Sequence, residues 1–105
     1  ITAFNPTALI LVNPETFEIK FKFEIDQSPH GLAIEDENIW CSDRVDRNII
    51  KYNKKNGAIL DKIQIPEDGP DPHGLSIKSN VLWYSDAAHP NPKRPYPEIG
   101  YINVK

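Results

Sequence analysis

Hydrophobic and polar residues alternate with a period of two along most of the chain, and each alternating stretch is short. The clearest are GLAIE, which ends at the polar segment EDEN, and AILDKIQI; NIWCSD is rich in strand formers, and NIIKYN leads into the turn KKNG. Alternation over about four to eight residues is typical of β-strands with one buried face. No window has the period of a useful amphipathic helix, and 10 prolines oppose one. The pattern predicts an all-β fold of short antiparallel strands.

The same pattern occurs more than once. Residues 30–43 align without a gap with residues 73–86, and both segments begin with His-Gly-Leu and end with Trp-x-Ser-Asp. A second match, at a different offset, aligns residues 9–25 with residues 49–65, and residues 99–105 resemble the start of that segment. Agreement of this density indicates a repeated structural unit.

One full unit contains four predicted strands in about 40 residues, which is the strand count and length of a β-propeller blade. The chain then divides into pieces of three, four and three strands within residues 1–26, 30–66 and 73–105. The first piece lacks the innermost strand of a blade and the third lacks the outermost. We therefore expect one partial propeller domain over residues 1–105.

Three blades cannot close a ring, because propellers need about four to eight. An open end would leave strand edges unpaired and one face of a blade in water. We expect the ring to be completed either by a second copy, which gives a homodimer with six blades, or by sequence beyond this chain as part of a larger propeller.

Composition narrows the classes of partner. The formal net charge of -3 leaves no basic surface for nucleic acid, so no nucleic-acid partner is expected. No apolar run approaches the roughly 20 residues of a membrane helix, so no membrane partner is expected either. The single cysteine, Cys41, excludes an internal disulfide and says little about the cellular compartment, which the sequence leaves unknown.

The stretches ILVNPETFEI, SPHGLAIEDENIWCSD and NIIKYN resemble NHL-type six-bladed propellers. Within that superfamily they are most similar to peptidyl-hydroxyglycine α-amidating lyases. A second similarity, through the PHGL and LW-x-SD motifs and the segment EIGYIN, is to streptogramin (virginiamycin B) lyases. Both families are metal-assisted lyases, and the resemblance does not separate them. It implies a metal-dependent lyase acting on a peptide or small molecule.

The resemblance also implies site residues. His30 and His73 would bind zinc or another divalent metal, and the backbone carbonyl of Leu32 or Leu75 would bind calcium. The catalytic Tyr and Arg of the amidating lyases lack close counterparts. Two arginines after the second strand of the middle unit are the nearest catalytic candidates; they are Arg44 and Arg47.

Reasoning from the residues alone leaves two roles open for the histidines. Residues at the same position of adjacent blades converge on the channel, so His30 and His73 are expected side by side. A catalytic zinc needs three protein ligands, and a third would come from another copy or another blade. Alternatively, each Pro-His-Gly turn only begins a strand, with the imidazole hydrogen-bonded to a neighbouring loop.

The other repeated residues are interpreted as scaffold. Trp40 and Trp83 stand at the same phase of their strands and are expected to pack between adjacent blades. Asp43 and Asp86 follow a serine at a strand end and are expected to accept backbone N–H hydrogen bonds. Cys41 is expected to be an inert buried thiol.

The segment AAHPNPKRPYPE (87–98) interrupts the repeat as a long proline-stiffened loop. Such loops often determine binding specificity, and the alternative is a tolerated insertion. The side chains suited to a partner or a carboxylate-bearing substrate are His89, Lys93, Arg94 and Tyr96. A non-catalytic propeller that binds a peptide, protein or glycan through its loops is the alternative function, and a lyase remnant without function is a third.

Overall fold

The computed structural model describes residues 1–4, 7–25, 28–87 and 97–104. Within these ranges the chain forms ten strands and no helix, and so no helix long and apolar enough to span a membrane. The strands are β1 (Thr2–Phe4), β2 (Thr7–Val12), β3 (Ile19–Glu24), β4 (Pro29–Glu35), β5 (Asn38–Asp43), β6 (Asn48–Asn53), β7 (Ile59–Gln64), β8 (Pro72–Lys78), β9 (Val81–Asp86) and β10 (Ile99–Asn103).

The strands form three antiparallel sheets in which chain neighbours are also sheet neighbours. Sheet 1 has the order β1-β2-β3, sheet 2 the order β4-β5-β6-β7, and sheet 3 the order β8-β9-β10. The predicted all-β class and the antiparallel meanders are confirmed, while the assignment of the sheets to propeller blades stays a prediction.

The repeat is visible in the turns that connect the strands. Asn13 and Asn53 hold equivalent positions, and the side-chain oxygen of each accepts the backbone N–H groups two and three residues ahead. Each turn closes with a backbone hydrogen bond back to the asparagine carbonyl, from Phe17 in one case and Gly57 in the other. Both donors have positive φ, at 60° and 74°. The two segments therefore form the same turn with different residues at its left-handed position.

Two apolar clusters join the sheets. The first joint, between sheets 1 and 2, contains the buried residues Leu9, Ile25, Cys41, Ile50 and Tyr52. The second joint, between sheets 2 and 3, contains Ala33, Trp40, Ile49, Ile65, Leu82 and Val104. Sheet 2 therefore has apolar side chains packed against a neighbouring sheet on each face, because side chains alternate across a strand.

Trp40 and Trp83 differ although they hold the same position in the repeat. Trp40 is fully buried in the second joint, as expected. Trp83 is 45% exposed and lies 5.3 Å from the ring of Tyr101. Within the described residues Trp83 does not pack between two sheets, because none of these residues forms a further sheet on the face of sheet 3 that carries it; packing between adjacent blades stays a prediction.

Candidate functional site

The two repeated histidines lie side by side where sheets 2 and 3 meet. Their imidazole rings are stacked, with centroids 4.6 Å apart and planes inclined by 29°. His30 comes from β4 and His73 from β8, the strands through which the two sheets approach each other most closely. The sequence expectation that equivalent positions become neighbours is confirmed; their role as metal ligands stays a prediction.

A serine hydroxyl produces this juxtaposition. The ladder between β4 and β5 is irregular just after Pro29, and there the Ser42 hydroxyl accepts the Gly31 N–H at 2.8 Å. The same hydroxyl donates to the His73 carbonyl at 2.9 Å. Ser42 therefore connects the two strands that carry the histidines.

Gly31 permits the close approach. A Cβ atom at this position would lie 1.6 Å from the His73 carbonyl oxygen, so only glycine fits. The equivalent contact recurs in sheet 3, where the Gly74 N–H donates to the Ser85 hydroxyl at 3.0 Å. The repeated Gly and Ser therefore form an irregular strand start that brings the histidines together.

Asp71 extends the pair into a charged cluster. Its Oδ2 lies 3.7 Å from Nε2 of His73 and 3.9 Å from Nε of Arg44. The side chain of Asp71 is 15% exposed, whereas that of Arg44 is 44% exposed, so the guanidinium lies on the solvent side. The cluster therefore runs from Arg44 through Asp71 to the two rings.

The two arginine candidates have different positions. Arg44 belongs to this cluster. The guanidinium of Arg47 instead donates to three backbone carbonyls, those of Glu67, Gly69 and Pro70, at 2.7, 2.6 and 3.0 Å. Arg47 thus fixes the loop that leads to β8 and does not point at the histidines; the interpretation of Arg47 as a catalytic residue has no support in its contacts.

The aspartates of the Ser-Asp pairs are scaffold, as expected. Oδ1 of Asp43 accepts the N–H groups of Ser28, Val45 and Asp46. Oδ1 of Asp86 accepts the N–H of Asp71, at the position equivalent to Ser28. These bonds hold the segment before each histidine against the end of the second strand.

Two imidazoles suit a divalent transition metal, but they make only part of a centre. In a tetrahedral zinc site with Zn–N distances of about 2.0–2.1 Å, two ligating nitrogens lie about 3.3 Å apart, whereas the stacked ring centroids lie 4.6 Å apart, so the rings would have to turn to bind one ion. Among the residues described, no group of three or more His, Cys, Asp or Glu side chains is placed to hold a metal. A third ligand must therefore come from outside this set.

Cys41 is not available as that ligand. Its side chain is buried in the first joint, and burial raises the pKa of its thiol from 9.0 to about 12. Since the thiolate is the form that binds metals, this thiol is inert near neutral pH, as the sequence indicates.

The remaining candidates are placed as follows. Leu32 and Leu75 lie in strand register with Cys41 and Tyr84, and calcium binding by their carbonyls stays a prediction. The loop candidates lie outside the described residues; they are His89, Lys93, Arg94 and Tyr96.

Sequence reasoning missed two residues of the site. Ser42 was treated as part of a repeated motif, although its recurrence at Ser85 was a signal for a shared contact. Asp71 stands where the first copy of the motif has Ser28, so the difference between SPHG and DPHG was the available signal. A carboxylate that is present beside the histidine in only one copy is a more specific signal for the site than the repeat itself.

The chain matches no protein-family model, and a search of curated proteins finds no match either.

Proposed function

We propose that the chain forms three consecutive blades of an NHL-type propeller and that His30 and His73 are two ligands of a divalent metal, with zinc favoured, in a lyase-like site. The observation that carries the proposal is the ring stack at 4.6 Å. Two separate strands, each with its own Gly-Ser contact, deliver the rings to one point.

The residues around the two imidazole rings have different roles in this proposal. Nε2 of His73 is buried on the Asp71 side, where Oδ2 of Asp71 lies 3.7 Å away. A carboxylate beside the second nitrogen of a metal-binding imidazole fixes the ring orientation and increases its basicity. Arg44, exposed next to Asp71, is suited to bind a carboxylate group of a substrate.

A bound divalent metal would supply Lewis-acid polarisation of a substrate oxygen. The chain's own part is to orient His73 through Asp71, to hold both rings through the Ser42 contact, and to bind the substrate through Arg44. The substrate class suggested by the resemblance is a peptide or small molecule, and the bond cleaved is C–N or C–O.

Zinc titration of the metal-stripped protein, followed by calorimetry, tests the proposal. His30→Phe and His73→Phe are suitable variants, because an aromatic ring keeps the stack and removes the ligating nitrogens. We expect each variant to lose at least about tenfold in zinc affinity, and Asp71→Asn to lose about 10–100-fold.

A matched control is Asp61→Asn, which changes an exposed carboxylate on β7, the strand of sheet 2 farthest from β4. It is expected to leave zinc affinity within about twofold. Equal zinc affinity in the wild type and both phenylalanine variants would refute metal binding by the pair, as would the absence of any zinc binding by the folded protein.

A non-catalytic propeller that binds a peptide, protein or glycan is the second candidate. One observation favours it: the described residues bring together two histidines and no third side chain that could bind a metal with them. In that case Arg44 and the imidazoles bind a ligand directly, and binding of that ligand is unchanged by chelators.

A further inference from the structure

The stack of three sheets ends in two faces that the described residues leave uncovered. We call the face of each sheet that carries Leu9, Ile49 or Ile99 its front, and the opposite face its back. These three residues are equivalent, because Leu9 and Ile49 match in the repeat and Ile49 and Ile99 pair with the repeated serines of their sheets. Each joint therefore consists of the front of one sheet packed on the back of the next.

Front residues change from buried to exposed at the end of the stack. Leu9 and Ile49 are 3% and 0% exposed inside the two joints, whereas Ile99 is 79% exposed. The tryptophans of the front behave in the same way, since Trp40 is fully buried and Trp83 is 45% exposed. Sheet 3 thus presents to solvent a surface that is core in the two preceding sheets.

The back of sheet 1 shows the complementary repeat. Ile10 pairs with Lys22 across β2 and β3, and Ile50 pairs with Lys62 at the equivalent place in sheet 2. Ile50 is 1% exposed because the front of sheet 1 covers it, whereas Ile10 is partly buried and lies, with the fully buried Ala8, on a face that no described sheet covers. The back of sheet 1 therefore repeats the Ile-Lys pair that the front of sheet 1 covers in sheet 2, whereas the back of sheet 3 has Gly100 at this position.

We propose that a second copy of this chain covers both faces, with the front of sheet 3 of each copy packed on the back of sheet 1 of the other. This inference rests on the blade interpretation proposed above. The contact joins unlike surfaces, and two such contacts related by a two-fold axis close a ring of six sheets. Trp83 and Tyr101 are 45% and 59% exposed, so about half of each residue is available to be buried in such a joint.

The ring would also complete the site. Each copy contributes His30 and His73 at the same end of its sheets, so four imidazoles face one axis. A third ligand for a metal is then a histidine of the second copy.

The test is the solution mass of the 105-residue protein at about 100 µM, measured by sedimentation equilibrium with three variants. Ile99→Asp alters the front, Ile10→Asp alters the back, and Val45→Asp is the control at an exposed apolar residue outside both joints. We expect two chains for the wild type and the control. A carboxylate buried without a partner should raise the dimer dissociation constant at least about a hundredfold in both face variants.

Mixing and dilution give independent readouts. An equimolar mixture of the Ile99→Asp and Ile10→Asp proteins retains one unaltered joint, so dimers should form again with weaker affinity. Dilution of the wild type through dissociation should shift tryptophan emission to the red, because Trp83 becomes exposed while Trp40 stays buried. This second readout needs no variant and holds even if a variant fails to fold.

Three results would overturn the inference. A wild type that is monomeric at about 100 µM removes the second copy. A dimer that only Ile99→Asp disrupts joins two fronts, and one that only Ile10→Asp disrupts joins two backs. Zinc binding is measured separately: a front-to-back dimer without zinc affinity refutes the metal proposal alone, and a monomer that binds zinc through both histidines refutes the ring alone.

Discussion

Replacing Gly31 by alanine should be far more disruptive than a single methyl group suggests. The added Cβ would lie 1.6 Å from the His73 carbonyl oxygen and 2.7 Å from its carbon, and both neighbours are backbone atoms that cannot rotate away. An ordinary contact begins at about 3.4 Å. β4 and β8 would have to separate by well over an ångström along this line.

The cost can be assembled from the contacts that this separation breaks. Overpacking in a well-packed interior costs about 1–3 kcal/mol. The hydrogen bonds from Gly31 to Ser42 and from Ser42 to His73 span the same gap, and each contributes about 1 kcal/mol. We expect a total loss of about 3–5 kcal/mol in the free energy of unfolding, together with loss of the imidazole stack.

Urea denaturation followed by tryptophan fluorescence measures the free energy, and the imidazole C–H resonances in NMR report on the stack. Gly74→Ala is the matched control at the equivalent position of sheet 3. A Cβ there meets only the Ser85 side chain, at 2.8 and 3.9 Å, so we expect a loss of about 1 kcal/mol. If Gly31→Ala costs no more than Gly74→Ala, the close approach of the strands is not what positions the histidines.

Two further predictions concern single residues away from the ring stack. Phe17 is 75% exposed with φ at 60°, so Phe17→Gly should raise the free energy of unfolding by about 0.5–1 kcal/mol. Gly57→Ala, in the equivalent turn, should lower it. Urea titrations in which Phe17→Gly destabilises the protein or Gly57→Ala stabilises it would contradict this. For Cys41, the folded thiol keeps its proton up to a pKa of about 12 while the unfolded thiol loses it near 9.0. Between these pH values the unfolded state binds fewer protons than the folded state. The contribution of this thiol to the free energy of unfolding is therefore complete below pH 9.0, and it declines as the pH rises towards 12, by up to about 1.4 kcal/mol per pH unit. Cys41→Ala should lack this part of the decline, and equal pH slopes for variant and wild type would refute it.

The strands and their antiparallel order were predictable because the repeat and the alternation both indicate the same strand segments. Trp40 is buried as the repeat indicates, whereas in β9 the apolar run Val81-Leu82-Trp83 does not show which residue faces the core. The equivalence of His30 and His73 was likewise predictable, since two copies of one motif in adjacent sheets must present the same residue at the same end.

Other parts of the site depend on differences between the copies, which a repeat obscures. Asp71 replaces a serine, and only its distance to His73 shows that the change adds a carboxylate to the ring pair. Arg44 and Arg47 are three residues apart in one turn, yet one reaches Asp71 and the other binds the backbone of the loop at residues 67–70. Side-chain direction in a turn is decided by local backbone conformation, and Arg47 has a positive φ of 53°.

The exposure of Trp83 also depends on a difference between the copies of the repeat, and it connects the fold to the proposed dimer. A repeat specifies each sheet as though it had a neighbour on both faces, so the sequence of sheet 3 places Trp83 at a position that is fully buried in sheet 2. Whether that position is core depends on a partner surface and not on the strand itself. Because the back of sheet 1 keeps the pattern of Ile50 and Lys62 in Ile10 and Lys22, the chain holds both halves of one more joint at its opposite ends. In the proposed dimer, a second copy would bury Trp83 as sheet 3 buries Trp40, and the same contact would bring two further histidines to the ring pair.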